Sequence, residues 1–118
     1  KKSYDTPIVS VFSSDDSNVD AVNVDLNSAI GNAVKLLSEY GHKKIAFFSE
    51  KYTKGKAEHF LKTAKSLGVQ NAKVFESELR FEKAGQDCAS KMLECGNKFT
   101  AVLCAYDNIA IGAMKEFK

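Results

Sequence analysis

Arginine occurs once in these 118 residues, as Arg80, proline once, as Pro7, and tryptophan not at all. A duplex-binding surface concentrates basic groups on one face, often as guanidinium forks. The 17 basic side chains are otherwise lysines spread along the chain, and the net charge is +2. Both facts argue against DNA contact by these residues. The cysteines are three, Cys88, Cys95 and Cys104, an odd number without C-x-x-C spacing. They are read as reduced thiols of a cytoplasmic protein, not as a disulfide framework or a metal site. No apolar run approaches the ~20 residues that span a bilayer, and nothing at the N-terminus resembles a secretory signal, so no membrane partner is expected. An apolar fraction of 44% excludes disorder and collagen-like structure, and the length suits one compact domain.

Enzyme signatures are also missing. Gly55-Lys56 resembles the end of a phosphate-binding loop, but Glu50 stands where its first glycine is needed and Ala57 where Ser or Thr is needed. G-x-G-x-x-G, G-x-S-x-G and H-E-x-x-H are absent. His59 has Thr63, not a second ligand, four residues on, and His42 follows a helix stop where an imidazole complements exposed carbonyls. The expectation is a non-enzyme without cofactor or metal.

What is present is a regular alternation. Ile30, Ala33, Val34 and Leu37 fall at i, i+3, i+4 and i+7, one apolar stripe of a helix. Asn27 or Ser28 is its expected cap and Gly41 its stop. The same spacing recurs in Ala57 to Ala64 before Gly68, in Gly85 to Met92 before Gly96, and in Ala110 to Phe117. Between these stripes lie β-rich runs at 8–12, 21–24, 45–48, 73–75 and 101–105. The runs at 45–48 and 101–105 are apolar without alternation, as in strands covered on both faces. Strand and helix alternating four times predict an α/β fold, a three-layer, Rossmann-like parallel sheet with helices on both faces. Only the first run stands outside this rhythm, joined to the second by the polar stretch 13–18, read as a hinge.

In an open parallel sheet, ligands bind beyond the carboxyl ends of the strands, where helix N-termini also point. That rule selects the segments 25–27, 49–56, 76–81 and 106–108. They offer acids (Asp25, Glu50, Glu76, Glu78, Asp107), bases (Lys54, Lys56, Arg80), amides and the rings of Tyr52, Phe81 and Tyr106. Rings beside charged and amide hydrogen-bonders suit a small polar ligand such as a sugar or nucleobase.

Two segments carry a family likeness. Gly41-His42-Lys43-Lys44-Ile45-Ala46-Phe47 and the run from Thr100 to Ala113, with Tyr106-Asp107 inside it, resemble two signatures of the lactose-repressor (LacI/GalR) family of bacterial transcription regulators. Pro7 to Phe12 is similar to the strand that leaves the first half of that family's clamshell. Val22 to Asp25 is similar to the strand that opens the second. The resemblance spans Pro7 to the end of the chain.

It implies one subdomain of a type I periplasmic-binding-protein-like clamshell, truncated. Residues 1–12 would be the last strand of the N-terminal subdomain, 13–18 the crossover, and 19–118 an incomplete C-terminal effector-binding subdomain. It further implies an effector-sensing, dimerising domain of a cytoplasmic regulator, its DNA-binding headpiece outside these residues. The partners would be a sugar, sugar phosphate or purine effector and a second copy of the chain. The family's effector arginine falls on Lys56 and its asparagine before the aspartate on Tyr106, while Phe12 replaces an acid. Tyr52, Arg80 and Phe81 fall where relatives place a hydroxyl and a stacking ring, and Asp107 is retained as a ligand contact or a helix cap. The seven residues Phe12, Tyr52, Lys56, Arg80, Phe81, Tyr106 and Asp107 are thus the expected ligand site. A periplasmic sugar receptor of the same fold is the alternative; three unpaired cysteines and the Gly41-to-Ile45 motif count against it.

Overall fold

The structure is a computed structural model that describes residues 6–11, 20–22, 25–96 and 98–118. In chain order the elements are β1 (Val9–Val11), β2 (Asp20–Val22), α1 (Leu26–Glu39), β3 (Lys44–Glu50), α2 (Lys54–Ser66), β4 (Asn71–Ser77), α3 (Phe81–Glu94), β5 (Ala101–Cys104) and α4 (Asp107–Glu116). The hinge expected at 13–18 lies outside the described residues.

Strands β4, β3 and β5 form a parallel sheet in that order, with Phe48 opposite both Phe75 and Cys104. The expected three layers are present. Alternation along β3 sends Ile45 and Phe47 to one face, against Ile30 and Val34 of α1 and Ala57, Phe60 and Ala64 of α2. Ala46 and Phe48 go to the other, against Ala84, Cys88 and Ala89 of α3 and Ile109 and Ala113 of α4. Every residue of β3 after Lys44 is buried, which is why the run lacks a polar alternation. The Phe47 and Phe60 rings stack at 5.0 Å, and Phe48 meets Phe75 edge-on at 6.0 Å. Each buried phenylalanine contributes roughly 1.5–3 kcal/mol through the apolar surface it removes from water.

The structure corrects several local expectations. β2 does not pair with the three-stranded sheet among the described residues; it lies parallel to β1, Ser10 opposite Ala21. The cap of α1 is Asp25, not Asn27 or Ser28: its carboxylate accepts from the Ser28 amide at 3.0 Å and the Ser28 hydroxyl at 2.6 Å. The Asp25 carboxylate reaches the orphan amide three residues on, and Ser28 serves as donor instead. Gly41 ends the helix with φ 92°, a conformation a side chain would strain, while its amide bonds Ser38 and the His42 amide bonds Leu37. The His42 ring meets the Thr100 hydroxyl at 2.9 Å, joining the starts of β3 and β5.

Candidate functional site

The carboxyl ends of β3, β4 and β5 lie side by side, and the chain leaves each through a connection of two or three residues. The strand period places Glu50 on the same face as Ala46 and Phe48, the side covered by α3 and α4. Its side chain is 1% exposed. A buried carboxylate is tolerated only when its oxygens are hydrogen-bonded and its charge is matched. Here Oε1 accepts the Tyr52 amide at 2.6 Å, Oε2 accepts the Tyr106 hydroxyl at 3.3 Å, and Arg80 Nε lies 3.4 Å from Oε2. One side chain at the end of the central strand thus ties together the three outgoing connections.

Around Glu50 the expected residues converge. The Arg80 guanidinium lies over the Tyr52 ring at 4.6 Å and the Phe81 ring at 4.7 Å, and remains half exposed. Phe81 opens α3 with φ 58°, a left-handed conformation that costs a bulky residue about 1–2 kcal/mol. Its amide donates to the Tyr106 hydroxyl at 3.0 Å, and the two rings meet edge-on at 6.1 Å. Burial, and then the facing Glu50 carboxylate, push the Tyr106 phenol above its ordinary 10.0, so it stays protonated and donates to Glu50.

Beneath Glu50, the Ser49 hydroxyl and Thr53 Oγ1 are 2.7 Å apart, and the Glu50 amide donates to Thr53 Oγ1 at 3.0 Å, which fixes the entry into α2.

The other expected residues are placed differently. Lys56 lies on the opposite face of the sheet, and its ammonium donates to the Ala105 carbonyl at 2.9 Å. It borders a mainly apolar cavity of about 180 Å³ between α1 and the β3–β5 edge, with Ile30, Phe47 and Leu103. Asp107 is not the cap of α4. Tyr106 occupies that position, and Asp107, the first helical residue, accepts the Asn108 amide at 2.8 Å. Phe12 lies outside the described residues.

In the sequence Glu50 is one acid among five at the strand ends, and residue type alone does not single it out. The available signal is its position: a carboxylate ending the run Ile45 to Ser49, in phase with Ala46 and Phe48. No group of three or more metal-ligating side chains occurs among the described residues, and no helix of theirs is long and apolar enough to cross a membrane.

A family model for periplasmic binding proteins and the sugar-binding domain of the LacI family matches residues 1–118. The chain belongs to this family. It is similar to the HTH-type transcriptional repressor PurR of Mannheimia succiniciproducens, 33% identical over 87 residues, which covers 70% of this chain and 26% of that protein. It is 28% identical over 123 residues to catabolite control protein A of Priestia megaterium, covering 96% of this chain and 36% of the relative. A crystal structure of a LacI transcriptional regulator from a Rhodococcus species superposes with a TM-score of 0.81 at 27% identity, over 93% of this chain and 42% of that one. The chain therefore spans about a quarter to a third of the length of these two curated relatives. In LacI-family terms, the signature beginning at Gly41 builds the stop of α1 and the start of β3. The one ending at Ala113 builds β5, Tyr106 and the packed face of α4.

Proposed function

We propose that these residues form the effector-binding half of a LacI-family transcription regulator, taking a small polar effector at the ends of β3, β4 and β5. The supporting observation is the convergence of Tyr52, Arg80, Phe81 and Tyr106, from three separate connections, around the buried Glu50. Ring faces beside a guanidinium and hydroxyls suit a sugar, a sugar phosphate or a purine. Asp107, at the same rim, and Phe12 complete the proposed contact set, with Lys56 steadying the Ala105 carbonyl next to Tyr106.

The opposite wall of the mouth belongs to the other half of the clamshell. The pairing of β2 with β1 supports assigning both strands to the same half, with the crossover at residues 13–18 kept as the proposed hinge. Closure of the two halves on the effector changes the pose of two subunits of a homodimer, and so the DNA affinity of a headpiece outside these residues. Such a regulator acts in the cytoplasm and performs no catalysis.

Differential scanning fluorimetry of the complete protein against sugars, sugar phosphates and purines tests this reading. A true effector at 100 times its Kd stabilises the folded state by about 2.7 kcal/mol and changes the affinity for operator DNA. A complete protein that binds no DNA, or whose DNA binding ignores every compound that stabilises it, refutes the proposal.

A further inference from the structure

We propose that Arg80, held by Glu50, is the residue that grips the effector, and that the effector carries an oxyanion, a carboxylate or a phosphate, on a small polyhydroxylated scaffold. The inference rests on the effector site proposed above and narrows its chemistry.

Two cations compete for the role. Lys56 is committed inward: its ammonium donates to the Ala105 carbonyl, on the sheet face away from the Tyr52, Phe81 and Tyr106 rings. Arg80 is held over Tyr52 and Phe81, with 51% of its side chain exposed. The ion pair with Glu50 runs through Nε at 3.4 Å. It therefore does not use the edge formed by the two terminal amino groups, whose parallel N–H bonds match the two oxygens of a carboxylate or phosphate. Lys51, its ammonium 5.1 Å from the centre of the Tyr52 ring, adds a second positive charge at the same rim. The N-terminal ends of α2 and α3 add their partial positive charge.

Of the acids at these strand ends, Glu50 and Asp107 are engaged internally, as is Glu82 of α3, while Glu76 and Glu78 are exposed. Glu50 is enclosed by the Tyr52 amide, the Tyr106 hydroxyl and Arg80. Glu82 pairs with Lys115 at 3.0 Å, and Asp107 accepts the Asn108 amide. The cations a ligand meets at this rim are Arg80 and Lys51. Glu50 is a positioning residue: it fixes the pose of the guanidinium without presenting its own carboxylate to solvent.

Calorimetric titration of the complete protein with D-glucose, D-gluconate, D-glucose 6-phosphate and inorganic phosphate tests the inference. Gluconate and glucose 6-phosphate separate carboxylate from phosphate, and inorganic phosphate reads the anion without a scaffold. At least one anionic sugar is expected to bind about tenfold or more tightly than glucose. Arg80→Gln should abolish that preference, Arg80→Lys should retain part of it, Glu50→Gln should reduce it, and Lys56→Gln should leave the ratio in place. The ratio of anionic to neutral binding is the decisive readout, since a merely structural defect weakens both ligands together. Glucose binding as tightly as both anionic sugars, failure of both to bind, or a preference that survives Arg80→Gln overturns the inference. If neutral sugars alone bind and alter operator affinity, only the oxyanion assignment fails. A DNA-binding protein indifferent to every sugar, charged or neutral, fails both proposals.

Discussion

Gly85 on α3 and Gly112 on α4 each lie against the backbone of the opposite helix. A Cβ at Gly85 would overlap the Ile109 carbonyl, and one at Gly112 would overlap the Glu82 carbonyl. Gly112 therefore serves helix–helix contact. The close approach also sets the site, because α3 begins at Phe81 and α4 begins after Tyr106, the two residues joined by a 3.0 Å hydrogen bond.

Gly85→Ala and Gly112→Ala should each lower stability in urea by about 1–3 kcal/mol, the usual cost of overpacking. That net loss would appear despite the gain of about 1 kcal/mol in helix propensity from Gly to Ala. Gly55→Ala is the control: a Cβ there meets nothing within 4 Å, so the propensity gain should show alone. Wild-type stability in the Gly85 and Gly112 variants would contradict the packing described.

Tyr106→Phe removes the hydroxyl that accepts from the Phe81 amide and donates to Glu50. The ring contact with Phe81 survives, so the loss isolates the polar link. Equilibrium unfolding should show a cost of about 1–2 kcal/mol, the range for breaking a partly buried hydrogen bond and leaving its partners unmatched. Faster hydrogen exchange at Phe81 should accompany it.

Alkaline pH should destabilise the protein through two thiols. Burial pushes Cys88 up to about 11 and Cys104 up to about 12, from an ordinary 9.0. Above pH 9.0 the unfolded chain loses these protons while the folded chain keeps them. The stability contributed is thus whole below the unfolded value and is lost as pH climbs through the folded ones. Urea midpoints measured at pH 8 and pH 10 should fall, and Cys88→Ala should flatten the fall. At pH 8 the buried Cys88 should react with a disulfide reagent only on the timescale of unfolding.

Acid should act on α1. The Ser28 hydroxyl, and then its amide, hold the Asp25 carboxyl below the ordinary 3.8. Its contribution to stability is present above that ordinary value and is lost as pH falls from there through the lowered folded value. Asp25→Asn keeps a competent cap but removes the titration. The variant should therefore show less loss of α1 helicity, followed by NMR, between pH 5 and pH 3 than the parent does.

The α/β alternation, the two-sided burial of β3, the three glycine helix stops and the strand ends where a site belongs are all legible in the sequence. These follow from periods of 2 and 3.6 residues and from capping chemistry, which are local properties of the chain. Family membership was also legible, in the signatures around Gly41 and Tyr106. Which strand-end groups meet is set by long-range packing. Glu50 stands 30 residues from Arg80 and 56 from Tyr106 in sequence, and their meeting depends on the strand order and on how closely α3 and α4 pack. The same packing separated Arg80 from Lys56, two cations that look equivalent in the chain yet lie on opposite faces of the sheet. The pairing of β2 with β1 was likewise a matter of non-local hydrogen bonds, which no local pattern encodes.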